Sequence, residues 1–413
     1  MLLRSAPRRA LSSAWGKPAV VARRSHELTR HAVTGRSLAT ASGAGAHQGA
    51  TVSSLWGDRE WSDSTTSPTP SPSASAVDVA YNFSTDAALA DRYRNAWDGL
   101  RVGVLLEDLD ALAGTVAFKH CNAGLAAKPH IVTASVDRIQ LSQRLGLQQD
   151  MALRGRVVHT GRTSMQIEMR ATFADAAPDA EPAVKAVFTF VARDAATGRS
   201  TAVPALLPGT EAERLLFAEG AARAAARSAA RQRPPEELAL EVAARKAAAA
   251  ERVALSQPML RLPALNSPGS VLCHETRFDN TMMTFPQSRN TAGKIFGGYL
   301  MRGAFELAFV SAYTFGAAKP SFEAVERVDF LAPVEVGDLL DLEAQVILSR
   351  PAENVAHVEV LASVCDPVAG TAKTSNRFLF SFSFERTSFE EATLREVLPS
   401  TEEDARHQCL LLE

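Results

Sequence analysis

Two side chains in this sequence have the type and setting for chemistry, the carboxylate of Asp110 and the carboxamide of Asn290. At 100° steps along a helix, Asp110 falls at the edge of an apolar stripe, and Gly114 lies one turn further on. A carboxylate at an apolar boundary, beside a residue without a side chain, has space for a ligand and enough desolvation to raise its basicity. The spacing is therefore suited to a general base, although a solvated carboxylate on the flank of a helix has the same spacing.

The segment NTAGKIFGGYLM, residues 290–301, carries the second group. Gly297 and Gly298 precede an apolar helix, and glycines there let a ligand approach the N–H groups that a first helical turn leaves unpaired. Such a helix start favours a carbonyl oxygen that acquires negative charge, and Asn290 could hold a water molecule or polarise that carbonyl. The structural alternative is a glycine turn that packs the helix closely against a sheet, with Asn290 in an Asx turn.

Other catalytic classes lack their motifs. The sequence has no G-x-S-x-G nucleophile elbow, no G-x-x-x-x-G-K-[ST] phosphate loop and no G-x-G-x-x-G after a strand. The four cysteines form no C-x-x-C pair, and the histidines do not share the spacing of metal ligands. We therefore expect neither a metal site nor a cofactor.

Two helices and several strands must position these residues. The apolar periodicity predicts helices over residues 104–120 and 298–314. A third helical stretch, from Thr210 to about residue 255, opens with a capping box and is interrupted by two prolines, which predicts two connector helices. Alternation at every second position predicts half-buried strands. The alternating apolar residues are Met165, Ile167, Met169, Phe188, Phe190, Val358, Val360, Ala362, Val364, Phe378, Phe380, Phe382 and Phe384.

The chain also contains an internal repeat. VDRIQL, residues 136–141, matches VERVDF, residues 325–330, at an offset of 189, and two further strands match at offsets of 191 and 192. Similar offsets indicate a duplication with small insertions or deletions in loops. Each copy has one helix followed by antiparallel-looking strands, which is an α+β unit whose curved sheet covers the apolar stripe of the helix. We expect the two units to pair.

These segments resemble a known family. Residues 290–301 resemble the signature of hotdog-fold acyl-coenzyme A thioesterases, and RVGVLLEDLDALAG, residues 101–114, resembles the first hotdog helix of the mitochondrial acyl-coenzyme A thioesterase 9 group. The similarity extends over roughly residues 80–390. It implies a tandem (double) hotdog, an α+β fold in which each unit is an antiparallel sheet wrapped around one long helix. It also implies that acyl-CoA thioesters are hydrolysed in clefts between the two helices.

The resemblance further implies a catalytic pair drawn from opposite halves, an acid on one helix and an asparagine before the other. Gly103 takes the place of the family's second glycine, and seven positions further lies Asp110. The same step from Gly298 reaches Phe305, with Glu306 adjacent, so the acid position departs from the pattern there. We expect one competent cleft and one degenerate mirrored cleft. The competent cleft is expected to contain Asp110, Asn290, Gly297, Gly298, Gly114 and, on the coenzyme A side, Ser164; the degenerate one, Asn95 and Glu306.

Two other functions stay open from the sequence. A dehydratase or hydratase of the hotdog superfamily would want a histidine ahead of the second helix, and TMMTFPQSRN, residues 281–290, has none. A non-catalytic acyl-CoA-binding module would keep the cleft but lose the acid or the asparagine. Retention of Asp110 and Asn290 favours hydrolysis, with Asp110 as either a general base or a nucleophile.

Composition limits the partners and the compartment. With 44 Lys+Arg against 46 Asp+Glu, the formal net charge is -2, so no overall basic field exists to hold nucleic acid, and no apolar run has transmembrane length. The first fifty residues contain seven arginines and Glu27 as their only acid, which together with helically spaced apolar residues predicts a mitochondrial transit peptide and a matrix location. We also expect a homo-oligomer of double-hotdog chains.

The expected domain boundaries follow from these segments. They are residues 1–50 for the transit peptide, 51–77 for a flexible Ser/Pro-rich spacer, 78–205 for the first hotdog domain, 206–268 for a helical connector, 269–395 for the second hotdog domain and 396–413 for a C-terminal tail.

Overall fold

The computed structural model describes residues 70–122, 129–177, 180–265, 267–290, 292–385 and 394–412. The expected transit peptide and most of the expected spacer therefore lie outside the described residues. The helices are α1 (Pro72–Ser75), α2 (Ala87–Arg92), α3 (Val102–Asn122), α4 (Glu211–Arg231), α5 (Pro235–Arg261), α6 (Gly297–Gly316) and α7 (Glu402–Leu412). The strands are β1 (Val77–Tyr81), β2 (His130–Val136), β3 (Ile139–Leu141), β4 (Met151–Thr160), β5 (Ser164–Phe173), β6 (Val184–Arg193), β7 (Ser270–Leu272), β8 (Phe278–Met283), β9 (Pro320–Phe330), β10 (Leu339–Arg350), β11 (Val355–Asp366), β12 (Thr371–Phe384) and β13 (Glu396–Leu398).

Eleven of the described strands form one continuous sheet that serves both halves of the chain. Its order is β1-β4-β5-β6-β2-β9-β12-β11-β10-β8, with β3 paired to both β6 and β9. The two halves meet where β2 pairs antiparallel with β9, at Ser135 opposite Asp329 and Val136 opposite Val328. The repeated segments VDRIQL and VERVDF thus lie beside each other at the joint. A separate two-stranded parallel sheet joins β7 and β13.

Each half of the sheet curves around one long helix. In the first half, the predicted stripe of α3 is buried against β4 and β5, with Leu109 and Leu112 fully inaccessible to solvent. In the second half, α6 packs on β10 and β11 and carries Phe305 into contact with Phe380 of β12. Helix α3 extends two residues beyond each predicted end, and α6 begins one residue before its predicted start and ends two residues after its predicted end. The predicted α+β tandem hotdog fold is confirmed.

The two central helices pack directly against each other. Glu107 of α3 and Arg302 of α6, which lie 195 positions apart, form an ion pair of 2.9 Å between Oε2 and Nη1. Gly103 and Gly298 are also 195 positions apart, so the pair joins equivalent positions of the two helices. The contact between the halves is therefore chemically asymmetric at its centre.

The prediction that the strands are half-buried is wrong for β5 and β11, because helices cover the outer face of the sheet. On β5, Gln166 is buried and donates from Nε2 to the carbonyl of Gly220 in α4 at 2.8 Å. On β11, Glu359 is buried, and its Oε2 accepts a hydrogen bond of 3.0 Å from Nδ1 of His407 in α7. The alternation in sequence therefore identifies the inner face of the sheet correctly. On the outer face, polar side chains are buried beneath helices and have hydrogen-bond partners there.

The connector and the C-terminal segment supply these covering helices. Thr210 caps α4 as predicted, since its Oγ1 accepts from the N–H of Glu213 and the Glu213 side chain accepts from the N–H of Thr210. The second connector helix, α5, begins at Pro235. The segment expected to be a tail forms β13 and α7, and α7 buries Ala405 against Ala249 of α5.

Candidate functional site

Equivalent loops lead into the two central helices. Each loop is closed by an isolated β-bridge, Arg94 with Leu100 in the first half and Arg289 with Ile295 in the second. Each also contains an asparagine directly after the first bridge residue. The pseudo-symmetric fold therefore places Asn95 and Asn290 at matching positions.

Asn290 is held by its own loop and opens onto a cleft. Its Oδ1 accepts hydrogen bonds from the N–H groups of Ala292 at 2.9 Å and Lys294 at 3.1 Å. The Asx-type alternative considered from sequence therefore describes the oxygen correctly. The amide nitrogen, Nδ2, has no hydrogen-bond partner in the described part of the chain, and Asn290 lines the cleft. The structure supports the Asx-type role of the oxygen, and a catalytic role for the nitrogen stays a prediction.

Asp110 lies on α3 next to two residues that line this cleft, Thr133 and Gly297. Its side chain is fully buried, and Oδ1 accepts a hydrogen bond of 3.0 Å from the hydroxyl of Thr133 on β2. The other oxygen, Oδ2, has no hydrogen-bond partner among the described residues. A methyl group on Gly297 would lie 3.1 Å from this oxygen, so the absence of a side chain there leaves the carboxylate open towards the start of α6.

Both glycines at the start of α6 are needed for close packing. A methyl group on Gly298 would lie 2.9 Å from the carbonyl oxygen of Glu107, and one on Gly297 would lie 3.0 Å from the ring of Phe330. The N-cap residue, Phe296, has no side-chain oxygen with which to cap the helix. The first turn of α6 therefore presents N–H groups near a buried carboxylate, as a helix start does at an anion or oxyanion site.

Burial sets the protonation behaviour of Asp110. Desolvation raises the pKa of Asp110 to about 7, while the hydrogen bond from the Thr133 hydroxyl and the nearby N–H of Gly298, which does not meet hydrogen-bond geometry, oppose this by favouring the charged form. Glu107 raises the pKa further by charge repulsion. A carboxylate with a pKa near neutrality can both take and return a proton under ordinary conditions, which a general base requires.

The cleft has a volume of about 350 Å³ and is formed by both halves of the chain. Thr133 and His130 come from β2, whereas Asn290, Lys294 and Gly297 come from the second half. Thr133 was missed from sequence because its orientation depends on a register shift in β2, between Thr133 and Ser135. Alternation alone does not locate such a shift.

Two expected residues lie away from this cleft. Gly114 is buried on α3, one turn beyond Asp110, and does not line the cleft. Ser164 begins β5 at the β4–β5 turn, where its carbonyl accepts from the N–H of Gly161 at 2.9 Å. The structure therefore places Asp110 close to Gly297, and Gly297 and Asn290 line one cleft that Ser164 does not line.

The mirrored cleft has a different chemistry. Asn95 has both ends of its carboxamide engaged, since Nδ2 donates to the carbonyl of Leu100 and Oδ1 accepts from two backbone N–H groups. Glu306 forms ion pairs with Arg101 at 2.7 Å and Arg302 at 3.3 Å. Phe305 occupies the position equivalent to Asp110. The mirrored cleft therefore lacks the unpartnered carboxylate of the first.

Among the described residues, no group of three or more His, Cys, Asp or Glu side chains is arranged to hold a metal ion. In the same part of the chain, no helix combines the length and apolarity needed to cross a bilayer.

The fold and the site define a tandem hotdog chain with a buried carboxylate that faces a glycine helix start. Comparisons with known proteins identify its family. The chain is 40% identical over 348 residues to acyl-coenzyme A thioesterase 4, mitochondrial, of Humulus lupulus, covering 82% of this chain and 66% of that protein. It is 38% identical to the chloroplastic acyl-coenzyme A thioesterase 2 of the same plant, covering 82% of this chain and 79% of the relative. It is 31% identical to acyl-coenzyme A thioesterase 9, mitochondrial, of Mus musculus, covering 76% and 72%.

This chain belongs to the acyl-coenzyme A thioesterase family. No protein-family model matches it.

Proposed function

We propose that this thioesterase hydrolyses acyl-CoA in the cleft between Asn290 and Gly297, with Asp110 as its catalytic carboxylate. The observation that carries the proposal is the second oxygen of Asp110, which is buried, without a hydrogen-bond partner in the described chain, and directed at Gly297. A buried acceptor without a partner is costly to a fold, so a group that binds or reacts there is the simplest reason for keeping it.

In the proposed reaction, the thioester carbonyl lies against the start of α6. The N–H of Gly297 and the Nδ2 of Asn290 stabilise the oxygen as it becomes negative. Asp110 removes a proton from water, the water oxygen bonds to the carbonyl carbon, and the carbon–sulfur bond breaks. The proton held by Asp110 then passes to the departing thiolate, which leaves free carboxylic acid and coenzyme A. In an alternative route, Asp110 attacks the carbonyl directly and water hydrolyses the resulting anhydride.

A thiol-release assay over a panel of short to long acyl-CoAs tests the proposal. We expect Asp110→Asn to lower kcat by about 10²- to 10⁴-fold, which is the usual contribution of a positioned base. Asp366→Asn, at an exposed carboxylate that ends β11, is the matched control and should retain activity. Turnover of Asp110→Asn near that of the control would refute the role of Asp110. Single-turnover hydrolysis in ¹⁸O-labelled water separates the two routes, because the anhydride route can place the label in the Asp110 carboxylate.

The compartment, the assembly and the domain boundaries are further proposals. We propose that residues 1–50 direct the chain to the mitochondrial matrix, supported by the mitochondrial names of two relatives, although a third is named chloroplastic. Fusion of these residues to a fluorescent protein should give mitochondrial fluorescence, and plastid fluorescence would contradict the assignment. We also propose that the chain forms a homo-oligomer, which light scattering tests. We further propose folding units at residues 78–205 and 269–395, joined by residues 206–268, which limited proteolysis tests.

A further inference from the structure

The mirrored cleft is larger than the one proposed for catalysis. It has a volume of about 530 Å³, against about 350 Å³ for the cleft at Asn290. Both volumes lie within the range of small-molecule sites in proteins. The mirrored cleft is open although it has no carboxylate at the position equivalent to Asp110. The residues that line it indicate which ligands it can bind.

Aromatic rings replace the polar and small residues of the first cleft at equivalent positions. On the helices, Phe305 takes the position of Asp110, at the offset of 195 that relates Gly103 to Gly298. On the strands, Phe322 takes the position of Thr133, at the offset of 189 that relates the repeated segments. The strand pairing agrees with this equivalence, since Thr133 is opposite Phe190 and Phe322 is opposite Phe382, and those two partners are 192 positions apart.

Two more aromatic residues follow the same pattern. Phe309 stands where the first half has Gly114, and Trp97 stands where the second half has Ala292. The rings contact one another, with centroids 5.1 Å apart for Phe305 and Phe322 and 5.5 Å apart for Trp97 and Phe309. The positions equivalent to Asp110 and Thr133 are therefore occupied by rings that belong to a continuous aromatic wall.

This wall lines the cleft and does not fill it. Phe305 is almost completely buried and contacts the core ring of Phe380, whereas Trp97 at the opposite end is 41% exposed. The apolar surface therefore runs from the solvent inward to the core. An exposed apolar surface of this kind is the usual mark of a binding site for an apolar group.

A cation lies at the outer end of the wall. The Nζ of Lys319 is 5.4 Å from the centroid of the Trp97 ring, and no ion pair is found for Lys319 in the described part of the chain. Three arginines also line the cleft, but each has a carboxylate partner, Asp91 and Asp98 for Arg94, Glu306 for Arg101 and Glu385 for Arg144. Lys319 is therefore the lining cation best able to accept an anionic head group.

We propose that the mirrored cleft is a non-hydrolytic binding site for a fatty acyl chain with an anionic head, which is either a free fatty acid or an acyl-CoA. The chain lies along Phe309, Phe322 and Phe305, and the head binds Lys319. Hydrolysis does not occur there, because Phe305 replaces the base and Glu306 is held by two arginines. This binding does not depend on whether Asp110 is the catalytic group of the other cleft.

The fluorescence of Trp97, which lines this cleft, can report ligand binding there. The chain has four tryptophans, and the other three are Trp15, Trp56 and Trp61. In the full-length chain, replacing those three by Phe leaves Trp97 as the sole tryptophan. We expect palmitate and a non-hydrolysable thioether analogue of palmitoyl-CoA to change Trp97 emission saturably, below their micellar concentrations. Coenzyme A without an acyl chain should have no effect. The ratio of the two acyl affinities identifies which head group is preferred.

Charge reversal tests the position of the head. Lys319→Glu should raise the Kd of both acyl ligands by about tenfold, the loss expected for a charge-assisted contact. Lys373→Glu, at an exposed lysine on β12, is the matched control and should leave the Kd unchanged. Circular dichroism checks that both variants are folded.

The number of acyl-binding sites can be counted independently in the chain without tryptophan replacements. Equilibrium dialysis with palmitate and with the thioether analogue should, for at least one of the two ligands, give one acyl site more per wild-type chain than per Lys319→Glu chain under the same conditions. The proposal is overturned by equal numbers of sites in wild type and Lys319→Glu for both ligands, by binding of coenzyme A as tight as that of the acyl ligands, or by equal affinity in Lys319→Glu and Lys373→Glu.

Discussion

Replacing Asp110 by Asn should make the protein more stable at neutral pH while it abolishes most of its activity. The carboxylate is fully buried, and only one of its oxygens has a hydrogen-bond partner in the described chain. Asn has the same shape and can still accept the hydrogen bond from Thr133, but it carries no charge to desolvate. The variant therefore removes the unfavourable free energy of desolvating a buried charge, which is present in the folded wild type.

The size of the effect follows from the pKa of Asp110, which burial raises from 3.8 to about 7. A shift of about 3 pKa units corresponds to roughly 4 kcal/mol at 1.36 kcal/mol per unit, and relaxation of the site reduces this to about 2–4 kcal/mol. Below about pH 4 the carboxyl is protonated in both the folded and the unfolded chain, so it costs nothing. Between about pH 4 and 7 only the folded chain retains the proton, so wild-type stability falls as pH rises, and above about pH 7 the loss is complete.

Urea unfolding of wild type and Asp110→Asn at pH 5 and pH 8 measures this difference. The variant should gain about 2–4 kcal/mol over wild type at pH 8 and clearly less at pH 5. Asp366→Asn, at an exposed carboxylate, should show no such pH-dependent gain. An Asp110→Asn variant that is no more stable than wild type at pH 8, or whose gain is equal at both pH values, would show that the buried carboxylate is not under the assumed desolvation.

Three further results are expected. The kcat/KM for acyl-CoA should rise with pH through about pH 7 and level off above it, because only ionised Asp110 accepts a proton; a profile flat from pH 5 to 8 would contradict this. Asp108→Ala should lower the free energy of unfolding by about 1–3 kcal/mol in urea, because it leaves two buried tyrosine hydroxyls without their acceptor; unchanged stability would be inconsistent with that role. Gly297→Ala should reduce kcat/KM at least about tenfold by crowding Asp110, whereas Gly146→Ala, which has open space around it, should leave kcat/KM unchanged; equal kinetics would exclude the close approach.

The sequence was most informative where chemistry follows from local pattern. The extents of α3 and α6 follow from their apolar stripes, and the internal repeat predicted that the two halves pair, which the structure shows to occur between β2 and β9. The cleft location of Asn290 and the proximity of Gly297 to Asp110 were expected from the family resemblance. These relations depend on spacing along one helix or on matched segments, both of which can be read directly.

What the sequence did not reveal depends on tertiary packing. Thr133 became a partner of Asp110 through a register shift in β2, which no periodicity marks. Gln166 and Glu359 look like solvent-facing strand residues until α4 and α7 are placed over them. The expected role of Ser164 required a strand end to lie near the cleft, but the curvature of the sheet sets that distance.

The ion pair between Glu107 and Arg302 has a consequence for the history of the two halves. If two copies of the first half associated in the same way, two glutamates would face each other, and two copies of the second half would oppose two arginines. Only the mixed pairing places opposite charges together, so fragments of each half should recombine with the other kind in preference to their own. The covalent linkage of the two halves is therefore accompanied by a charge pair at their contact that favours the mixed pairing.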